Sequence, residues 1–265
     1  MKTILLMVHD DMGQDARLQC ALDLTRALDG HLVCLDLLRL PVLVDAYGGG
    51  PAQATVLFEE RDREDANVAQ VEDRLRDLDV SHEWIRAQGD FDHSLAQAAR
   101  LADLVVMSSK DAPGLGDQGD LPGRVARATT APVLVVPPGA HEMAVRGRAL
   151  VGWDGSAPAA DALRAAVPLL RLACSVEILT IGGGDGQAEA DPQDAVRYLA
   201  RHGCTATARV AEQVGSLSTH LHDAFASAAW GVMGSYGHGR LRERLFGGTT
   251  HTLLEETPVP LLISH

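Results

Sequence analysis

Short uninterrupted apolar runs alternate along the chain with longer stretches in which apolar residues return every three or four positions. The runs cover 4–8, 31–38, 101–109, 131–136, 149–153, 175–181, 228–235 and 259–263. Between them the helical spacing predicts helices over 15–28, 55–78, 92–101, 157–172, 191–202 and 217–229. Strands without polar alternation are buried on both faces, so the pattern predicts a parallel sheet covered by helices on each side. Right-handed crossovers then create a topological switch point, and ligands bind beyond the carboxyl ends of the strands there. Asp10 and Asp154 both lie at such ends.

The pattern occurs twice. An apolar run ending in an acidic residue, a helix and a second run open each half, and a proline-led strand closes each, at Pro132 and at Pro260. Asp10 and Pro132 are 122 positions apart, and Asp154 and Pro260 are 106 apart. The difference of 16 is close to the stretch 40–54, with two prolines and three consecutive glycines, which has no counterpart later in the chain. A duplication with one insertion accounts for both spacings. The expected fold class is α/β, two tandem doubly wound parallel-sheet units of Rossmann-like type, spanning 1–140 and 147–265. Residues 137–148 form the expected connection.

Composition narrows the function. With 265 residues, 46% hydrophobic and 22% charged, the chain is an ordinary globular one. A formal charge of −13 opposes nucleic-acid binding through a basic face. No apolar stretch reaches the length of a membrane span, and no secretory leader is expected, so a cytoplasmic location follows. The cysteines (Cys20, Cys34, Cys174, Cys204) lack metal-ligand spacing and are expected to be reduced core thiols. His220 and His222, two apart on a helix, face different ways and predict no shared metal. No Walker loop or nucleophile elbow is present, and no nucleophile stands at recognisable spacing from a base. The chain is therefore not expected to be an enzyme, slow ATP hydrolysis aside.

The chemistry concentrates in 234–250. This segment follows an apolar strand and holds Gly234, Gly237, His238, Gly239, Arg240, Gly247, Gly248, Thr249 and Thr250 before a helical stretch at 251–256. Glycines after a strand leave amides uncovered, and a helix amino end favours an anion. The same glycines can simply turn the chain. Arg242 and Arg244 flank Glu243 and read as a solvated, mutually paired face.

Here the second half resembles a universal stress protein domain. Gly234-x2-Gly237-x9-Gly247 is similar to the Gly-x2-Gly-x9-Gly-(Ser/Thr) of that family's nucleotide-binding members. Val151-Gly152-Trp153-Asp154 resembles its first strand, and Thr257-Pro258-Val259-Pro260-Leu261-Leu262-Ile263 its last. The whole chain resembles a tandem member with an adenine-nucleotide α-hydrolase-like fold. The resemblance implies ATP, with or without Mg²⁺, as a regulatory ligand of the second half. Asp154 would face ribose or phosphates, or else cap the following helix; Ile181 and Gly182 would read adenine through backbone. Gly234, Gly237, Gly247 and Gly248 would seat phosphate with Thr249 and Thr250, and His238 and Arg240, inside the loop, would supply a cation to the phosphates or stay solvated on its tip. Gly248 departs from the pattern, which has Ser or Thr there, leaving a backbone amide in place of a hydroxyl. In the first half, aligned from Pro132, Ser109 stands at the place of Gly237 and Val106 or Met107 at that of Gly234. Its loop carries three aspartates, and the site reads as lost or repurposed. An unidentified protein partner would sense the ordered loop. The alternatives are an interaction scaffold without nucleotide, or a carrier of another small ligand lidded by 40–54. The last strand of each half, apolar and at a sheet edge, is expected to pair with the other, 133–136 against 261–264, as an intrachain pseudo-dimer, with a homodimer as a further association.

Overall fold

The computed structural model describes residues 1–38, 51–109, 121–182, 190–213, 215–235 and 253–264, with 51–60 as backbone. The first half runs β1 (Thr3–Val8), α1 (Gln14–Leu28), β2 (His31–Leu38), α2 (Pro51–Arg76), β3 (His82–Gln88), α3 (Phe91–Ala98), a 3₁₀ turn (Ala99–Leu101), β4 (Leu104–Ser108), α4 (Leu121–Ala128) and β5 (Val133–Val136). The second runs β6 (Arg148–Gly152), α5 (Ala157–Leu170), β7 (Ser175–Gly182), α6 (Pro192–Arg201), β8 (Ala206–Glu212), α7 (Leu217–Ala226), β9 (Trp230–Gly234) and β10 (Leu261–Ser264). The expected helices over 15–28, 55–78, 92–101, 157–172, 191–202 and 217–229 are found, with ends shifted by a few residues.

The ten described strands form one sheet in the order β3-β2-β1-β4-β5-β10-β9-β6-β7-β8. Read outward from its middle, each side has the same strand order. Every described pairing is parallel except the central one, where β10 runs antiparallel to β5, Leu261 beside Val135, Leu262 beside Leu134 and Ile263 beside Val133. This is the expected pairing of closing strands.

Alternate strand residues enter two cores, one on each face. Ile4, Leu6 and Val8 join α1 and α5 residues on one face, while Leu5 and Met7 face the other. Both cores cross the seam, through Leu134 and Leu262 on the first face and Val133, Val135, Leu261 and Ile263 on the second. Each such side chain contributes about 1.5–3 kcal/mol when fully buried.

Two strands escape the sequence pattern. β3 and β8 form the outer edges, with half-exposed, alternating side chains. The connection between the halves is packed rather than loose. Met143 and Val145 are buried, the Met143 amide donates to Asp23 Oδ2 (2.9 Å), and the Trp230 indole N–H donates to Val145 O (3.3 Å). All four cysteines are free, but Cys174 is exposed and not in the core as expected.

Candidate functional site

Two switch points follow from the strand order: one where β1 lies between β2 and β4, and its relative where β6 lies between β7 and β9. The ladders equate positions in the two halves. Val105 and Gly231 donate to Pro132 O (3.0 Å) and Pro260 O (2.9 Å), and Ser109 and Ser235 donate to Val136 O and Ser264 O (both 2.8 Å). Ser108 therefore stands where the second half has Gly234. The sequence expectation of Val106 or Met107 there, with Ser109 at the place of Gly237, is corrected: the carboxyl-end hydrogen bonds, not loop length, set the register.

At the second switch point the close of β9 meets the start of α5. A Cβ on Gly234 would stand 2.6 Å from the Pro158 carbonyl carbon and nearer still to the Ala159 nitrogen, so glycine is required by close approach. Asp154 is exposed just beyond β6; its Oδ1 accepts from the Ser156 amide (2.9 Å) and has no other partner among the described residues. Ser156 caps α5, its Oγ accepting from the Ala159 amide (3.2 Å), and its carbonyl accepts from Ala160 (3.0 Å). The capping alternative for Asp154 is thus not realised: Ser156 is the cap of α5, and Asp154 instead accepts from the Ser156 amide two residues on. Much of the α5 amino end is satisfied internally, so phosphate donors have to come chiefly from elsewhere.

Ile181 is half-buried and Gly182 buried at the end of β7, beside the β6 terminus. Thr180 Oγ1 donates to Trp153 O (2.8 Å) and the Trp153 amide to Leu179 O (2.8 Å), fixing the two strand ends together. Asp154, Ile181 and Gly234 accordingly sit on three neighbouring strand ends. Gly237, His238, Gly247, Gly248, Thr249 and Thr250 lie outside the described residues, as do Arg240, Arg242 and Arg244.

The first switch point is filled by side chains. Arg17, 2% exposed, donates through Nε to Met7 O (2.6 Å), through one terminal nitrogen to Asp11 Oδ2 (3.0 Å) and the Ser108 hydroxyl, and through the other to His9 O (3.0 Å). Asp11 Oδ1 also accepts from the Gly13 amide (2.7 Å). Burial lowers the Arg17 pKa, while the Asp11 carboxylate opposes that shift and holds the charge. The contact between strand end and helix start is the same in both halves, but the glycine has changed sides. A Cβ on Gly13 would strike Ser108, whereas Gly234 faces Pro158 and Ala159. Ile4 and Ala149, matched by register, lie 145 positions apart, and the same offset places buried Ala162 opposite Arg17 and Gly152 opposite Met7.

Beside this plug His9 Nδ1 meets Glu64 Oε1 of α2 at 2.5 Å, and Gln14 exchanges bonds with Asn67 (2.5 and 3.0 Å). Burial pushes the Glu64 carboxyl up, but its bonds to His9 and Asn67 and the His9 charge outweigh this and leave it below the ordinary range. Asp36 on β2 is 6% exposed and its Oδ1 has no hydrogen-bond partner among the described residues. Burial, then Glu64, raise its pKa, against Arg86 3.6 Å away. Among the described residues no His, Cys, Asp or Glu cluster is arranged to hold a metal. Sequence reasoning missed Arg17, Asp11 and Ser108; the available signal was an arginine on the apolar face of α1, directly before Leu18.

Residues 1–137 match the model of the universal stress protein family. A universal stress protein structure from Archaeoglobus fulgidus superposes with a TM-score of 0.74 at 18% identity, covering 99% of this chain and 95% of that one. A putative universal stress protein from Pseudomonas aeruginosa gives 0.59 at 16% identity, covering 100% and 93%. These identities establish likeness of fold. No curated protein matches the sequence significantly.

Proposed function

The chain belongs to the universal stress protein family, and from that premise we propose that residues 147–265 form a second unit of the same kind, which binds an adenine nucleotide, ATP, as a regulatory ligand. The observation that carries this reading is the exchange at the two switch points: the Arg17 guanidinium, held by Asp11 and Ser108, plugs the first, and Ala162 and Gly234 stand at the places of Arg17 and Ser108 in the second. With no buried arginine at the place of Arg17, the second switch point presents the exposed carboxylate of Asp154, and Ile181 offers backbone at the neighbouring strand end. The glycine segment 236–250 supplies the amides for phosphate, since α5 spends most of its own first-turn donors internally. Mg²⁺, where it accompanies the nucleotide, would be held through Asp154 and phosphate oxygens.

The role is binding, not turnover, in the cytoplasm, and a protein partner reads the ordered loop. No described helix is long and apolar enough to cross a membrane. Several amide bonds of about 1 kcal/mol each, strengthened by phosphate charge, are compatible with micromolar affinity. Titration calorimetry with ATP and GTP tests the reading. One ATP per chain is expected, with GTP weaker and Asp154→Ala reducing ATP affinity about tenfold, or 1.4 kcal/mol. No heat with millimolar ATP ends the proposal.

One observation favours a second reading, a scaffold without nucleotide: the satisfied α5 amino end, together with Gly248 in place of a hydroxyl residue. Nucleotide extracted from freshly purified protein separates the two, because a scaffold would carry none.

A further inference from the structure

The first half carries a length of helix that the second lacks. Ile4 pairs with Leu32 and Ala149 with Val176, and these in turn with His82 and Ala206, so β3 and β8 correspond 124 positions apart. The same offset relates Val71 and Leu75 of α2 to Ala195 and Leu199 of α6, all four buried. It also sets Asn67 at the place of Asp191, whose carboxylate caps α6. The position of Val68 is therefore where α6 begins, whereas α2 begins at Pro51. The added turns reach the carboxyl end of β1: besides the contacts with His9 and Gln14, Glu64 accepts from the Asp10 amide. His9 corresponds to Asp154 by the 145-residue offset, so α2 rests where the second half presents its exposed carboxylate. We propose that residues 61–67 of α2 are a proton-operated latch on the first switch point, docked in mild acid and released as pH rises. The inference goes beyond nucleotide binding and does not depend on it.

By the same registers Asp36 corresponds to Thr180, whose hydroxyl is satisfied by Trp153 O. Asp36 instead places a buried carboxylate beside α2, with Oδ1 lacking a hydrogen-bond partner among the described residues. The charged groups around it are Glu64 and Asp65 of α2, His9 after β1 and Arg86 of β3. Glu64 also attracts the plug's Arg17, which Asp11 holds. Arg86 is shared, 3.6 Å from Asp36 and 3.0 Å from Asp65, and its side chain is more than half exposed. With every carboxyl ionised, three negative charges meet one solvated arginine and a histidine.

Protons decide that balance. Loss of a proton from Asp36 sets two carboxylates, Asp36 and Glu64, against each other across the latch. His9 forms an ion pair with Glu64 only when protonated. Burial and then Glu64 raise the Asp36 pKa, so its contribution to docking is full below the ordinary aspartate value and is lost as pH rises through the raised one. Burial acts upward on Glu64 too, but its bonds to His9 and Asn67 leave it lowered. Its contribution is therefore full above the ordinary glutamate value and is lost only as pH falls through the lowered one. Docking is strongest between the two, in mild acid. Release is local, because Arg61, Asp62, Arg63, Asp65 and Ala66 are exposed and little apolar surface has to be uncovered.

Hydrogen–deuterium exchange of the full chain at pH 5.5 and 8.0, read by mass spectrometry of peptides and expressed as protection factors, tests the latch. Protection factors remove the intrinsic effect of pH on exchange, so a change in them reports opening. Protection of 61–67 is expected to fall about tenfold or more between the two, while 71–76 of the same helix and α1 hold theirs. Asp36→Asn removes the titrating carboxyl and is expected to keep 61–67 protected at pH 8.0. Should that variant fail to fold, Glu64→Gln removes the same repulsion and is expected to flatten the profile. Unchanged protection in the parent overturns the proposal, as does an equal fall in the variant. A fall shared by 71–76 and α1 also overturns it, by assigning the pH dependence to the whole first half.

Discussion

Arg17 and Asp11 show how a few side chains decide what a switch point can do. The guanidinium is buried and held by one carboxylate, one hydroxyl and two carbonyls. Removing a single partner of a buried pair leaves an uncompensated charge, a cost of about 3–5 kcal/mol, whereas replacing the pair with apolar groups costs far less. Asp11→Ala is therefore expected to lower stability by about that amount in urea unfolding, and Asp11→Ala with Arg17→Met by clearly less. A double variant as unstable as the single one would show that Arg17 is held by packing. In the other half, Gly234→Ser drives a side chain into the α5 backbone, and such overpacking costs typically 1–3 kcal/mol. The same measurement checks it, and an unchanged midpoint would mean that α5 moves aside without loss. Asp36 gives a pH dependence. Its folded pKa is raised, by burial and then Glu64, so its neutral form favours folding. That contribution is fully present below the unfolded value near 3.9 and is lost as pH rises through the folded pKa. Asp36→Asn is thus expected to stabilise the protein at pH 7 and to match the parent below about pH 4. Equal urea midpoints at pH 7 would mean that Arg86 cancels the burial effect.

β3 and β8 lie at the rims of the sheet, and their exposed backbone edges set them apart from the seam. Their alternating side chains bury little, and Val210 on β8 is half exposed. Amides of β3 and β8 are expected to exchange with deuterium well before those of β4, β5, β9 and β10, as mass spectrometry of peptides can read. Protection of β8 equal to that of β9 would mean that something covers the rim. The same physics explains which elements the sequence revealed. Ile4 to Val8 or Val133 to Val136 are apolar throughout because both faces are covered, so they stand out as strands. His82-Glu83-Trp84-Ile85-Arg86 carries charge between its apolar residues because it is half solvated, and no continuous run marks it. Helices were legible because one stripe of each, as in Leu18, Ala21 and Leu22, faces the core. At the site, Asp154 and Gly234 could be placed from the ends of apolar runs. The Arg17 plug could not: its partners Met7, Asp11 and Ser108 converge only once β1 lies beside β4. Counting from Pro132 also put Val106 or Met107 at the place of Gly234 that Ser108 holds, since loop length carries no information about which strand residues pair.

At the scale of the molecule, the family model covers 1–137, the half whose switch point is filled, while the proposed ligand belongs to the other half. The two halves share one sheet, so one can keep the architecture while the other carries the proposed binding site. That division depends on β10, which joins them by pairing parallel to β9 and antiparallel to β5. Leu261, Leu262 and Ile263 are fully buried, and together their loss removes roughly 5–9 kcal/mol of apolar burial, comparable to the whole stability of a domain. Ending the chain at Glu256 deletes the strand and leaves β5 and β9 each with a bare apolar edge of unpaired amides and carbonyls. Core residues on both faces, Leu134 and Val135 among them, lose their neighbours across the seam at the same time. The truncated chain is therefore expected to aggregate or to pair edge to edge with other copies, and sedimentation velocity distinguishes either outcome from a monomer. A monodisperse truncation with parent-like circular dichroism would show instead that each half closes its own core, with the seam only joining two units already folded.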